Sequence, residues 1–198
     1  DSKVYSRLLL SEGAGYPLYR PQPCDDLPEP ARRDGTAIGD VGVVTWDGSF
    51  DPIFNITHST EDPANRFGVP HGFSQLKLAP EDVQTKPMSY APGSIVANDV
   101  TDAASEGPCE ADVKTNSKAA AMLMLPDGAS SWDLRPQSLF RDYALKHAKD
   151  WYNFVNGVLK RMIGTGDLYL VTGVTKSTSW AIAATQDFSG DEKVSLNF

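Results

Sequence analysis

Gly173-Val174-Thr175-Lys176-Ser177-Thr178 combines the residue types that hold phosphate: a glycine, one lysine and several hydroxyls after a strand-like stretch. A P-loop needs glycine directly before the lysine, so that backbone N–H groups can wrap the anion, and a helix must start at once. Thr175 stands where that glycine belongs, and Ser179-Trp180-Ala181-Ile182-Ala183 beyond it reads as a strand. The plainer reading of residues 173–180 is therefore a hairpin loop. Its sharper alternative is an anion or nucleotide site built from Gly173, Lys176, Ser177 and Thr178.

His58, Glu61, Asp62 and His71 supply imidazole and carboxylate, which suit zinc or iron, or acid–base catalysis in the stretch 58–71. Their spacing matches no compact metal motif, and Pro63 and Pro70 intervene, so surface histidines are the plainer reading. His147 falls one helical turn from Tyr143 and Trp151, which predicts a packed, hydrogen-bonded core histidine. Nucleophilic catalysis finds no G-x-S-x-G elbow. Cys24 lies in a proline-rich arm and Cys109 in a polar stretch, neither a setting that lowers a thiol pKa. Asp40 and Asp51 could face each other near a hairpin base, although turn-capping carboxylates are commoner. No catalytic residue, metal site or cofactor is assigned.

The charge of −8 argues against nucleic acid as a partner, because phosphate neutralisation dominates such binding. Aromatic residues are not interleaved with basic ones, as a base-stacking platform would need. No apolar run approaches the roughly 20 residues that cross a bilayer. Composition is that of a soluble, acidic globular protein, and two distant cysteines do not make a secreted disulfide framework, so a cytoplasmic setting is expected. Asn55-Ile56-Thr57 matches a glycosylation acceptor but sits inside an apolar strand pattern, where a sugar fits poorly.

These residues need positioning. Leu139, Phe140, Tyr143, Ala144, Ala148, Trp151, Phe154 and Val155 repeat at three-and-four spacing and predict one long amphipathic helix, stopped by Asn156-Gly157. Asp167–Val171 and Ser179–Ala183 predict a strand pair around residues 172–178. Val41, Val43, Val44 and Trp46 lead into Asp47-Gly48, and Phe50, Ile53, Phe54 and Ile56 follow, which predicts a type I′ hairpin. Asp51-Pro52 makes the second strand an edge or a bulge. Val4–Leu10 reads as a first strand, and Tyr16–Pro30 as an extended arm pinned by Tyr16, Leu18 and Tyr19. Phe67, Val69, Phe73, Leu76 and Leu78 are expected core anchors. Ile95–Val100 and Ala119–Leu125 read as strands, the latter ended by Pro126-Asp127-Gly128. Residues 101–118 are small, polar and aperiodic, which predicts a long flexible loop. Val194, Leu196 and Phe198 alternate with polar residues, as if a strand were cut in mid-pattern.

The stretches GYPLYRPQP, RRDGTAIGDVGVVTWDGSFDPIFNI, NRFGVP, FRDYALKHAKDWYNFVNG and GDLYLVTGVTKSTSWAIAA together carry a resemblance. As a set they resemble the N-terminal region of a family of uncharacterised proteins expanded in mushroom-forming basidiomycete fungi. The resemblance implies origin, and that residues 1–198 form one domain at the front of a longer polypeptide. It implies no activity and no site residues.

The expected fold is α+β: a mainly antiparallel sheet of roughly six to eight strands built from hairpins, with the long helix packed on it. Three functions fit: a non-catalytic recognition module for a protein or small molecule, an anion- or nucleotide-binding domain using 173–180, or an enzyme with a His/carboxylate site near 58–71.

Overall fold

A computed structural model describes residues 2–98, 102–107, 110–114, 119–186 and 193–197. The helices among these residues are α1 (Ser2–Leu10), α2 (Glu29–Asp34) and α3 (Gln137–Tyr152), the last continuing as a π-helical turn over Asn153–Val158. The first strands are β1 (Asp40–Val44), β2 (Phe50–Asn55), β3 (Val83–Tyr90), β4 (Ser94–Asn98), β5 (Asp102–Gly107) and β6 (Glu110–Lys114). They are followed by β7 (Ala119–Leu125), β8 (Ala129–Leu134), β9 (Leu168–Leu170), β10 (Gly173–Lys176), β11 (Ala181–Gln186) and β12 (Lys193–Asn197). All pairings among the described residues are antiparallel, so the fold is α+β as the hairpins and the helical pattern implied.

The small sheet has the order β2-β1-β9, and β1–β2 is the expected hairpin. Its turn is not type I′. Asp47 is absent from the positive-φ residues, and only Gly48 takes the left-handed conformation, at φ 86°. The loop closes instead through Gly48 N–H to Thr45 O at 3.0 Å and Thr45 N–H to Ser49 O at 2.9 Å. A Cβ on Gly48 would come within 2.6 Å of Tyr19 Cβ, so the arm crossing here also demands glycine. The pairing slips between Val41 and Gly42, the bulge that Asp51-Pro52 implied.

The other nine strands form three sheets of one pattern: β10-β8-β3, β11-β7-β4 and β12-β6-β5. The same three stretches of chain thus run side by side, with 110–134 always central. The first two sheets meet where Gly93 N–H donates to Leu125 O at 2.9 Å and the Ser177 hydroxyl to Gly128 O at 2.6 Å. Gly128 has φ 74°, and a Cβ there would lie 2.4 Å from Tyr90 O, so this crossing also requires glycine. Two expectations fail here. Residues 102–107 and 110–114 are a strand pair rather than a loop, because backbone pairing in a ribbon does not depend on apolar alternation. Thr101, Cys109 and Phe198 lie outside the described residues. The 167–183 region is not a hairpin either: β9 pairs with β1, β11 with β7, and residues 173–176 between them form β10 on β8.

α3 lies on the small sheet. Phe54 meets Trp151 and Phe154 edge-on, with ring centroids 5.8 and 6.0 Å apart, and Val41, Ile53, Ile56, Phe140 and Val155 complete this core. Burying one such aromatic ring stabilises the fold by roughly 3–5 kcal/mol relative to alanine. Phe67, Phe73, Leu76 and Leu78 pack against it as expected, whereas Val69 is half-buried and stands outside this cluster. The helix does not stop at Asn156-Gly157. It runs on to Val158 and closes at Lys160, which takes φ 58°.

Val4–Leu10 is a helix, not a strand. Val4, Tyr5 and Leu9 are buried at helical spacing, and Tyr5 and Leu9 sit on Ala121 with Val96, Leu123, Ile182 and Ala184 around them. Alanine at 121 lets the helix approach the sheet closely. Met122, Met124 and Ala181 form a separate cluster with Ile95, Ala97 and Ala183. The long helix is therefore not the only backing. No helix among the described residues is long and apolar enough to cross a membrane.

Candidate functional site

The sequence-derived ligands are tied to their neighbours. Lys176, on β10, donates from Nζ to Asp34 O and lies 5.9 Å from the Trp132 ring. Burial pushes its pKa down, against the pull of Asp34 and Asp40. Gly173 is opposite Asp133, where a Cβ would stand 2.7 Å from Oδ1. The Ser177 hydroxyl is within reach of Gly128 O (2.6 Å) and Ser179 O (2.7 Å), and the Thr178 hydroxyl donates to Asp127 Oδ2 at 3.1 Å. Carboxylates thus adjoin Gly173 and Thr178, and β10 leads to another strand rather than a helix.

His58 Nδ1 lies 3.2 Å from Asp62 Oδ1, the oxygen that caps the 3₁₀ turn at Ala64 N–H. His71 is exposed. Among the described residues no three His, Cys, Asp or Glu side chains are grouped to hold a metal ion. His147 is buried against Tyr143, centroids 4.4 Å apart, but its Nε2 has no hydrogen-bond partner among the described residues, unlike the bonded core histidine expected. Cys24 Sγ is 3.7 Å from Phe50 O, and burial, then Asp51 and Asp26, push its pKa up.

Asp40 and Asp51 do not face each other. Asp51 pairs with Arg161, whereas Asp40 accepts from Ala37 N–H (2.7 Å) and Asn55 Nδ2 (2.8 Å) in a buried network. Asn55 is fully buried, its Oδ1 accepting from Thr57 N–H at 2.7 Å. A sugar has no access to it in this fold.

One end of the small sheet differs from the rest of the surface. β9 runs antiparallel to β1 with Leu168 opposite Val43, so residues 159–167 lie at the same end as the hairpin loop 45–49. Trp46, at the loop tip, is 89% exposed and Met162 is 91% exposed. Val158, directly before that segment, and Tyr16 and Tyr169 are also exposed, the two tyrosine rings lying 5.9 Å apart at a tilt of 54°. Among the described residues the two most exposed large apolar side chains, Trp46 and Met162, thus lie on loops at this same end.

Both loops that present them are held rigidly. In the hairpin loop, Asp47 accepts from the Thr45 hydroxyl, and Arg20 pairs with it at 3.2 Å. Those contacts, the hydroxyl first, hold its carboxyl below the usual aspartate range. In the other, Lys160 and Met162 both take left-handed backbone, at φ 58° and 53°. That conformation costs a non-glycine residue on the order of 1 kcal/mol each. Arg161, between them, pairs with Asp51 and lies 5.0 Å from the Phe67 ring. Sequence reasoning assigned Trp46 to the strand; its place directly before Asp-Gly was the one signal that it caps a turn. Met162 carried none, since left-handed backbone is signalled by glycine, asparagine or aspartate and not by methionine.

The sequence matches no family model, and no curated protein or solved structure is measurably similar to it.

Proposed function

We propose that this chain is a non-catalytic recognition module that docks a protein partner through the hairpin end of its small sheet. The observation that carries the reading is the near-complete exposure of Trp46 and Met162 on two loops at one end of the small sheet, with Val158, Tyr16 and Tyr169 exposed on the elements that adjoin them. Tryptophan, tyrosine and methionine, with arginine beside them, are the residue types enriched at the centres of protein interfaces. Burying one tryptophan removes about 150–250 Å² from water, a gross gain of roughly 4–6 kcal/mol before the costs of association. Preorganised loops reduce those costs. The likeness to the fungal family supports a place at the front of longer polypeptides.

The test is a photocrosslinking amino acid at position 46 or 162, with position 145 on the outer face of α3 as control. In cells of the source organism, the same discrete protein adduct is expected from 46 and 162 and not from 145. Trp46→Ala should abolish the adduct formed at 162. No adduct, equal adducts from all three positions, or Trp46-dependent sedimentation with phosphatidylcholine vesicles instead would overturn the reading.

A further inference from the structure

The chain holds four methionines, and the fold treats them differently. Met122 and Met124 are each 1% exposed, sealed in the cluster with Ala181. Met88 is 56% exposed, yet its Sδ lies against the turn at Gly128, 2.8 Å from where a Cβ there would stand. Met162, at 91%, gives its thioether to solvent almost entirely.

A single exposed apolar side chain needs no explanation by itself. Here the backbone keeps Met162 from turning inward. The residues on either side are tied down. Arg161 N–H donates to Val155 O at 3.1 Å and its guanidinium pairs with Asp51. Ile163 is hydrogen-bonded to Asn156 and packs against the core beneath α3. Met162 itself holds φ 53°, a conformation that is costly for a residue with a Cβ. Strain spent on displaying a thioether is not explained by stability, and such strain gathers at functional sites.

A thioether displayed in this way is open to two-electron oxidation, which burial denies to Met122 and Met124. The sulfur lone pair attacks one oxygen of a peroxide, so that an S–O bond forms as the O–O bond breaks. The departing hydroxide takes the proton from the sulfur-bound oxygen and leaves as water. Sulfur is oxidised to the sulfoxide, the peroxide is reduced, and an apolar side chain becomes a polar one.

We propose that Met162 is a peroxide-sensitive switch: its sulfoxide makes the hairpin-end surface polar and releases the partner, and a thiol-dependent sulfoxide reductase resets it. Interfaces that use methionine lose affinity in this way, because the flexible apolar contact is replaced by a group that must be desolvated. The release rests on the hairpin-end reading, whereas the selective oxidation rests only on how the four sulfurs are placed.

The experiment treats the whole chain with graded hydrogen peroxide and follows each methionine by peptide mass mapping. Met162 sulfoxide should form ahead of that at Met88, and at least about tenfold faster than at Met122 and Met124. Retention on a phenyl column, which needs no partner, should fall as Met162 is oxidised; in Met162→Leu the same dose should not change it. Chain oxidised only that far, with the photocrosslinker at position 46, is then mixed with gel-filtered extract of the source organism. Its adduct should drop at least about fivefold against the reduced chain. Sulfoxide reductases with dithiothreitol should restore the adduct, and dithiothreitol alone, which reverses only cysteine oxidation, should not. Oxidation of Met162 no faster than of Met88, unchanged column retention, or rescue by dithiothreitol alone would overturn the proposal. Equal adducts from reduced and oxidised chain overturn the switch and leave the hairpin-end reading standing, whereas a reduced chain that gives no adduct overturns both.

Discussion

Asn156 holds Ile163 from both sides: its Nδ2 donates to the Ile163 carbonyl at 3.0 Å, and its Oδ1 accepts the Ile163 N–H at 2.8 Å. This clamp spans the two left-handed residues and fixes the loop that displays Met162. Asn156→Ala removes both bonds, and the expected loss is about 1–3 kcal/mol. Urea denaturation should show a lower midpoint at unchanged slope, and crosslinking from position 162 should weaken.

The left-handed backbone at Lys160 and Met162 makes an opposite expectation for glycine there. Lys160→Gly relieves the side-chain clash while adding unfolded-state freedom, and a net gain of about 0.5–1 kcal/mol is expected. Lys160→Ala should give no such gain. Thermal melting of the two variants separates relief of strain from loss of the lysine charge.

Asp40 sets a pH dependence. Burial raises its carboxyl above the ordinary aspartate value of 3.8, ahead of the opposing hydrogen bonds from Ala37 and Asn55. The folded protein thus holds this proton more tightly than the unfolded chain. Its contribution to stability is complete below the unfolded value and is lost as pH rises through the raised folded value, then stays level. Asp40→Asn should flatten that decline. The amide offers one acceptor to two converging donors, so the variant should also be about 1–3 kcal/mol less stable at pH 7. Denaturation midpoints across pH 4–7 for both proteins check each part.

α1 makes a sharp test of the second core. Leu9 is 2% exposed, against Ala121. Leu9→Ala should cost about 2–5 kcal/mol through the cavity it leaves. Ala121→Leu should cost about 1–3 kcal/mol, because the close approach of α1 leaves no room for it. Both are read from chemical denaturation; a neutral Leu9→Ala would mean that α1 does not pack there.

Where the sequence was legible, a short-range physical constraint lay behind it. The β1–β2 hairpin followed from Asp-Gly between apolar runs, and α3 from its repeated apolar face. Its end did not, because Lys160 does what Gly157 was expected to do. Val4–Leu10 was read as a strand because seven residues with a run of leucines suit either state until packing on Ala121 decides it. β5 and β6 were hidden because their residues (DAASEG, EADVK) pair through the backbone without an apolar alternation, and β10 (GVTK) because its partner β8 lies far back along the chain. The hairpin-end surface was equally hidden, since the loops that carry Trp46 and Met162 are brought to one end only through the register of β9 on β1.

The central position of residues 110–134 has a consequence for the order in which the chain assembles. One flank of that segment is supplied by 83–107, its immediate predecessor, and the other by 173–197, beyond α3. Closing the first is a local zippering, whereas the second must span a far larger loop and is slower. Pulse-labelled amide exchange during refolding should therefore protect amides paired between the first two segments before those paired to the third. During synthesis, the outer rank is the last to be laid down.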